Sequence, residues 1–217
     1  REAGARQAYV VREPVLAALG AGIPINARSG NMVINIGGGT SEVAVIALGS
    51  IVSWTSLRVA GNRFDQAIRD YVKKKYALAI GEQTAEAVKI EIGSAMPTKE
   101  KMEYEIRGRD LVSGLPKDVA LTSNEIAEAL NPYLVEIAGS IQNVFNMTPP
   151  ELVADIMEKG MILSGGSAQL HWLPEFFERT LGVQAYVAED PLFCVAKGTG
   201  LILSHLDTYK RTLSNKQ

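Results

Sequence analysis

Asn31-Met32-Val33-Ile34-Asn35-Ile36-Gly37-Gly38-Gly39-Thr40-Ser41 is an apolar, β-branched-rich run that closes in three glycines and two hydroxyls. Such a run predicts a strand in the interior of a sheet. The turn after it lets the backbone approach a phosphate closely and leaves N–H groups free to donate. Met161-Ile162-Leu163 running into Ser164-Gly165-Gly166-Ser167 is a second unit of the same kind. One such turn reads as an ordinary tight turn. Two are what a nucleotide lying between turns requires.

Upstream, a strand is expected at Ala8 to Val11, then a helix opened by Pro14 and punctuated by Gly20, Gly22 and Pro24. Downstream, Met32 to Ile36, Glu42 to Leu48 and Ile51 to Val59 read as a β-meander. The period then changes. Phe64, Ile68, Tyr71 and Val72 share one face of a helix closed by Lys73, Lys74 and Lys75, read as a solvated, dipole-matched end rather than a binding patch. A second helix, Thr84 to Ile92, carries Glu86 and Lys89 on one face. Polar strands at Met102 to Arg107 and Asp118 to Leu121, broken by Pro97, Gly108, Gly114 and Pro116, suggest the edge of a small subdomain.

Thr122-Ser123-Asn124-Glu125 is a capping box, and Ile126, Leu130, Tyr133, Leu134, Ile137, Ile141, Val144 and Phe145 keep helical spacing beyond it, with Pro132 in the early turns or bending them. Thr148-Pro149-Pro150-Glu151 repeats the cap logic. A helix, the strand at Met161, a helix with Leu170, Leu173, Phe176 and Phe177, a strand at Val183 to Val187 and a last helix capped by Asp190 complete the chain. A meander followed by alternating strands and helices implies an α/β fold with a mixed sheet.

The bulk numbers exclude several classes. With 217 residues, 47% hydrophobic and 21% charged, the chain can bury a sizeable core. A formal charge of -2 gives no global drive toward nucleic acid or anionic membrane. The single cysteine, Cys194, rules out an internal disulfide and a cysteine-rich zinc site, and reads as a small buried apolar residue in a reducing cytoplasm. No apolar stretch reaches the roughly 20 residues needed to span a bilayer, so no membrane insertion by this segment is expected. His171 and His205 are read at helical positions without metal or catalytic spacing. The chain opens Arg1-Glu2-Ala3-Gly4 without an initiator methionine, and a helix-like run leads almost at once into Ala8 to Val11, so it reads as a piece cut from something longer.

With these stretches in order, the chain resembles the actin-like ATPases, and among them the bacterial cell-shape actins of the MreB type. The matching segments are Arg12-Glu13-Pro14, Asn35 to Val45, Ile80 to Glu86, Lys89 to Gly93, Thr148 to Leu152 and Ala188 to Leu192. The resemblance implies a ribonuclease H-like α/β domain with a small inserted α+β subdomain. Residues 1–61 and 121–217 would form the second large subdomain, 62–120 the insertion, and the first domain, with its phosphate loop, would be absent from this chain. Gly37, Gly38, Gly39, Thr40 and Ser41 would be the second phosphate loop, Gly61 and Asn62 would border the phosphates, Glu86 and Lys89 would hold the ribose and adenine side, and Gly165, Gly166 and Ser167 would be the adenosine loop. The cofactors implied are ATP and Mg, and the partners are further copies of the protein in filaments and the cell-wall synthesis machinery. The location implied is cytoplasmic, at the inner face of the membrane.

Departures from the family pattern bear on hydrolysis. Asn35 stands where the family has an Asp that orders the waters around Mg, so its metal contact would be weak and through water. Arg12 stands at the first of two acids before the proline, a water-positioning place together with Ser41, and Arg cannot accept from water. Asn62 also replaces an acid. Three lost carboxylates imply an altered ATPase site, and Arg12→Glu with Asn35→Asp is expected to strengthen hydrolysis. The alternatives are a sugar kinase of the same superfold and a non-hydrolysing structural relative.

Overall fold

The computed structural model describes residue 4 and residues 7–209; the helix-like start expected around residues 1–3 and 5–6 lies outside them. The opening stretch forms β1 (Asn31–Ile36), the middle strand of a five-stranded sheet. Its order is Ser50–Leu57 (β3), Ser41–Ala47 (β2), β1, Met161–Ser164 (β7), Ala185–Val187 (β8). β1 pairs antiparallel with β2 and parallel with β7, which makes the sheet mixed.

Alternate residues of these strands serve two cores. Met32, Ile34 and Ile36, with Val43 and Val45, enter the larger one, whereas Val33, Ala44 and Ile46 enter the other. A strand buried on both faces has to be apolar at nearly every position, which is why β1 shows no alternation.

Over the smaller core lie α1 (Glu13–Gly20) and α7 (Cys194–Ser204), contributing Val15, Ala17, Ala18, Leu19 and Ile202. The two helices meet backbone to backbone. A Cβ on Gly20 would fall 1.7 Å from the Cys194 carbonyl oxygen, and one on Gly198 would fall 2.0 Å from that of Leu16. Only glycine allows that approach.

The larger core is covered by α2 (Gly61–Tyr76), α4 (Ser123–Asn146), α5 (Pro150–Lys159) and α6 (Leu173–Leu181). Of the predicted stripe of α4, Ile126, Leu130, Leu134, Ile137, Ile141 and Val144 are buried, and Tyr133 and Phe145 pack partly buried against the same core. Its capping box forms as expected. Thr122 Oγ1 accepts from the Glu125 N–H at 3.3 Å, and Glu125 Oε2 accepts from the Thr122 N–H at 2.8 Å. Burial alone would raise the Glu125 carboxyl, but hydrogen bonds from Lys75, Tyr76 and Thr122 outweigh it and hold the group at about 2. The helix continues through Pro132, which is exposed.

The polar middle of the chain builds α3 (Glu82–Ile92) and a three-stranded antiparallel sheet of Leu78–Ala79 (β4), Glu103–Asp110 (β5) and Pro116–Thr122 (β6). Leu78, Ile106 and Leu121 join the same larger core.

Several local expectations fail for identifiable reasons. Among the described residues Ala8 to Val11 joins neither sheet: it forms no strand beyond a single bridge residue, Val10, and Tyr9 and Val10 are exposed. Thr148 does not cap α5, whose N-cap is Pro149. Its hydroxyl, buried beside Ser53 Oγ at 2.6 Å, donates back to the Val144 carbonyl at 2.6 Å, serving the open end of α4 instead. Asp190 does not cap α7, whose N-cap is Phe193, and its side chain makes no cap bond. A 3-10 turn, Pro191–Phe193, separates it from α7, and its carboxylate takes Lys197 at 2.6 Å. Leu170 precedes α6, His171 bridges to Ser94, and His205 lies just past α7.

Candidate functional site

The register of β1 against β7 pairs Ile34 with Leu163 and Asn35 with Ser164, so the two glycine turns leave the sheet side by side. Parallel neighbours ending together, with β2 departing in the opposite sense, create the crevice beyond the strand ends where α/β folds hold ligands. The second turn fits there only because Gly165 has φ +87° and a Cβ would lie 2.3 Å from the Ile36 carbonyl. The Gly165 N–H is spent on the Pro191 carbonyl at 2.8 Å, and Ser167 Oγ donates to the Gly37 carbonyl at 3.1 Å, tying turn to turn. The start of α2 is fastened to the first turn by Gly61 N–H to Gly37 O at 3.0 Å and Asn62 N–H to Gly38 O at 2.8 Å.

Between these pieces lies a cleft of about 460 Å³. Of the sequence-predicted residues it brings together Asn35, Gly37, Gly38, Gly61, Asn62, Glu86, Lys89, Gly165, Gly166 and Ser167. It does not include Gly39, Thr40, Ser41 or Arg12. The Thr40 carbonyl accepts from the Gly37 N–H at 3.0 Å and so closes the loop from behind. Ser41, the first residue of β2, is buried, and its hydroxyl donates to the Val59 carbonyl at 2.5 Å. Arg12 stacks its guanidinium 4.9 Å over Trp54 of β3.

The residue that reaches the cleft from this end of the chain is Glu13. The sequence reading fixed on its neighbour Arg12 and missed it, although Pro14 carries the signal: a proline in the first turn sets where α1 begins and puts Glu13 at its first position. Asn35 Nδ2 donates to Glu13 Oε1 at 2.8 Å, and Asn35 Oδ1 accepts from Ser164 Oγ at 2.7 Å. Asn35 is 2% exposed, so its amide serves as an internal strut.

Asp65 was also missed. It is buried on α2 and holds Lys89 Nζ at 2.8 Å and 2.9 Å from its two oxygens, with hydrogen-bond geometry at Oδ2. Burial pushes the Asp65 carboxyl up, and Lys89 draws it back down. Its only sequence signal is an acid beside Phe64 and Ile68 on an otherwise apolar stripe. Glu42, paired with Asn35 across the strands, has one oxygen buried without a partner, and burial followed by the nearby Glu13 charge raises its carboxyl. Ile90 and Leu192, both more than half exposed, add apolar surface to the cleft.

The family model of MreB/Mbl protein matches residues 1–211. The chain belongs to the MreB/Mbl family. The cell shape-determining protein MreB of Escherichia coli (strain K12) is 46% identical over 215 residues, covering 99% of this chain and 62% of that protein. The cell shape-determining protein Mbl of Bacillus subtilis (strain 168) is 45% identical over 214 residues, 98% of this chain and 64% of that protein. Among solved structures, MreB5 of Spiroplasma citri bound to ADP superposes with a TM-score of 0.92 at 38% identity, over 97% of this chain and 64% of that one. The MamK double helical filament, 19% identical, shares the fold with a TM-score of 0.74 over 88% of this chain and 58% of that one. The chain thus spans less than two thirds of these relatives. The α/β fold with its mixed sheet is actin-like, and the MreB/Mbl relatives are cell-shape proteins. Among the described residues, no helix is long and apolar enough to cross a membrane.

Proposed function

We propose that the cleft holds an adenine nucleotide and that the protein polymerises head to tail as a cytoskeletal filament of rod-shape control. The observation that carries the nucleotide reading is the convergence of two glycine turns, from the adjacent ends of β1 and β7, on one cleft that also contains Glu86 and Lys89. MreB5 of S. citri has been solved with ADP and with AMPPNP, which supports it. The N–H groups of Gly38 and Gly166, which no backbone carbonyl takes, suit phosphate oxygens. Glu86 and Lys89 suit the ribose hydroxyls and the base, and Ile90 and Leu192 suit a flat ring.

The donor set fits the nucleotide better than the metal. Asn35 directs its N–H₂ at Glu13 and its oxygen at Ser164, so the expected water-mediated Mg contact has little left to use. Glu13 is the carboxylate that remains near the phosphate turns. It would accept from a water or hold a magnesium-bound one, while a bound ATP supplies the reactive anhydride. Arg12 and Ser41 have no position from which to align water. Turnover slower than in a carboxylate-rich site follows, and a relative that binds without hydrolysing is the second reading, favoured by the uncharged Asn35. Against the sugar-kinase alternative, the relatives named above are cell-shape and filament proteins.

The domain division is proposed as expected: residues 1–61 and 121–217 as the large subdomain and 62–120 as the insertion, opposite a first domain supplied by the rest of the protein. A head-to-tail contact does not close, so filaments follow, and the filament form of MamK supports this. Cell-wall synthesis machinery at the inner membrane face, reached from the cytoplasm, is the proposed partner, on the strength of the cell-shape relatives.

The test is calorimetric titration with MgADP and MgATP of the protein and of Gly166→Val, which fills the cleft where a Cβ would meet Leu192 at 3.3 Å without demanding a positive φ. At least a tenfold loss of affinity with an unchanged melting temperature is expected. Unchanged affinity overturns the reading. ATP-dependent pelleting of the whole protein tests the filament.

A further inference from the structure

The lysine run that closes α2 divides between two tasks. Lys75 pairs with Glu125 at 2.8 Å. Lys73 instead lines a second hollow of about 300 Å³ between α2 and the β4-β5 edge, which shares no residue with the cleft. Arg69 comes from the same helix and Arg109 from β5, while Ala79, Ile80 and Leu111 supply apolar wall.

The acid in this hollow, Asp70, is engaged by the Gln66 amide at 2.9 Å, and Gln66 Oε1 in turn accepts from Arg69 at 3.2 Å. None of the ion pairs among the described residues uses Arg69, Lys73 or Arg109. Arg69 and Lys73 stand four residues apart on one helix, the spacing at which like charges repel. A third cation arrives from a different element. Three cations facing one concavity against one carboxylate focus a positive field there.

We propose that this hollow is a binding site for a phosphate monoester dianion. Two guanidinium groups offer planar forks that match pairs of phosphate oxygens, and the lysine adds a point charge. The volume admits the phosphate with part of the group that bears it. Neutralising the three cations removes the repulsion between Arg69 and Lys73 that the protein's own acids leave in place.

The test uses the full chain and inorganic phosphate at constant ionic strength, followed by NMR shifts of the Arg69, Lys73 and Arg109 amides. Saturable shifts are expected, weakened at least tenfold in Arg69→Gln/Lys73→Gln/Arg109→Gln and retained in the cleft variant Gly166→Val. The charge-keeping pair Arg69→Lys/Arg109→Lys should bind more tightly than the same pair changed to Gln, which separates charge from packing. Cosedimentation with phosphatidic acid vesicles but not phosphatidylcholine vesicles, lost in the triple variant, would assign the phosphate to a lipid; phosphate binding without cosedimentation would assign it to a free ligand. Shifts no larger than those from matched chloride, or binding that survives the triple variant and disappears in Gly166→Val, overturn the proposal.

Discussion

Asn35 donates its side-chain amide to Glu13 across 2.8 Å. A carboxylate can only accept, so this contact fixes which way the amide points and leaves its oxygen for Ser164. Restoring an acid at position 35 therefore does not simply add charge for a metal. Asn35→Asp sets two carboxylates together where both cannot ionise freely, and one is held protonated above its ordinary range. A carboxyl raised in the folded state costs stability above that raised value and returns it as pH falls. The expected loss is about 1–3 kcal/mol at pH 8, shrinking toward pH 5, in urea unfolding. A loss that does not vary with pH would show that the two acids move apart.

Glu13 and Arg12 are adjacent in sequence and differ in reach. Glu13→Gln should lower any phosphate release by the whole protein about 10²-fold, the order expected when a positioned proton acceptor is removed. Arg12→Glu should change it less than about twofold, because the guanidinium it removes sits on Trp54 rather than in the cleft. The reverse pattern in a phosphate-release assay would return the water-positioning role to position 12.

Lys89 and Asp65 are 13% and 8% exposed at their side chains. Lys89→Met leaves the Asp65 carboxyl buried without its counter-charge, which costs about 3 kcal/mol at neutral pH. Burial already raises this acid, so the cost should ease as pH falls and the lone carboxyl takes a proton. Asp65→Asn/Lys89→Met together should be milder than Lys89→Met alone, as chemical denaturation would show.

The Glu125 carboxyl titrates at about 2, far below its ordinary value near 4.3. A depressed acid contributes stability that is complete above the unfolded value and is lost as pH falls toward the folded one. The window is therefore about pH 4.3 down to 2. Glu125→Ala should cost about 1–2 kcal/mol at pH 7 and flatten the acid limb of the stability curve in that window. An unchanged acid limb would mean that Lys75 and Tyr76 find another acceptor.

Gly198→Ala tests the crossing of α1 and α7, since its Cβ would meet the Leu16 carbonyl at 2.0 Å. Backbone on both sides leaves no flexible side chain to yield, so a loss of about 2–3 kcal/mol is expected. A loss under about 0.5 kcal/mol in denaturant would show that the helices separate at little cost.

What the sequence made legible was local and periodic. The strands around the glycine turns, the capping box at Thr122 and the stripe of α4 each carry their signal within a few neighbours, and each formed near its expected bounds. Signals that depend on competition were misread. Thr148 and Asp190 are good cap residues, but an open helix end in one case and Lys197 in the other took their oxygens. β4, two residues long, is too short for any periodicity. Most of the cleft was found because its pieces are turns. The strut from Asn35 to Glu13 was not, because it joins side chains 22 positions apart whose facing is decided only when α1 docks on the sheet.

The parallel pairing of β1 with β7 has a kinetic consequence. The meander on one side of β1 closes over short spans, but the partner on the other side lies more than a hundred residues down the chain, as does the α7 backbone against which Gly20 packs. Contacts of such sequence separation carry a large loop-closure entropy and form late. The cleft draws on residues from Glu13 to Val195, so it exists only after those late contacts are made. Its two glycine turns are thus expected to come together late in folding, and a ligand that bridges them would tie together segments more than a hundred residues apart.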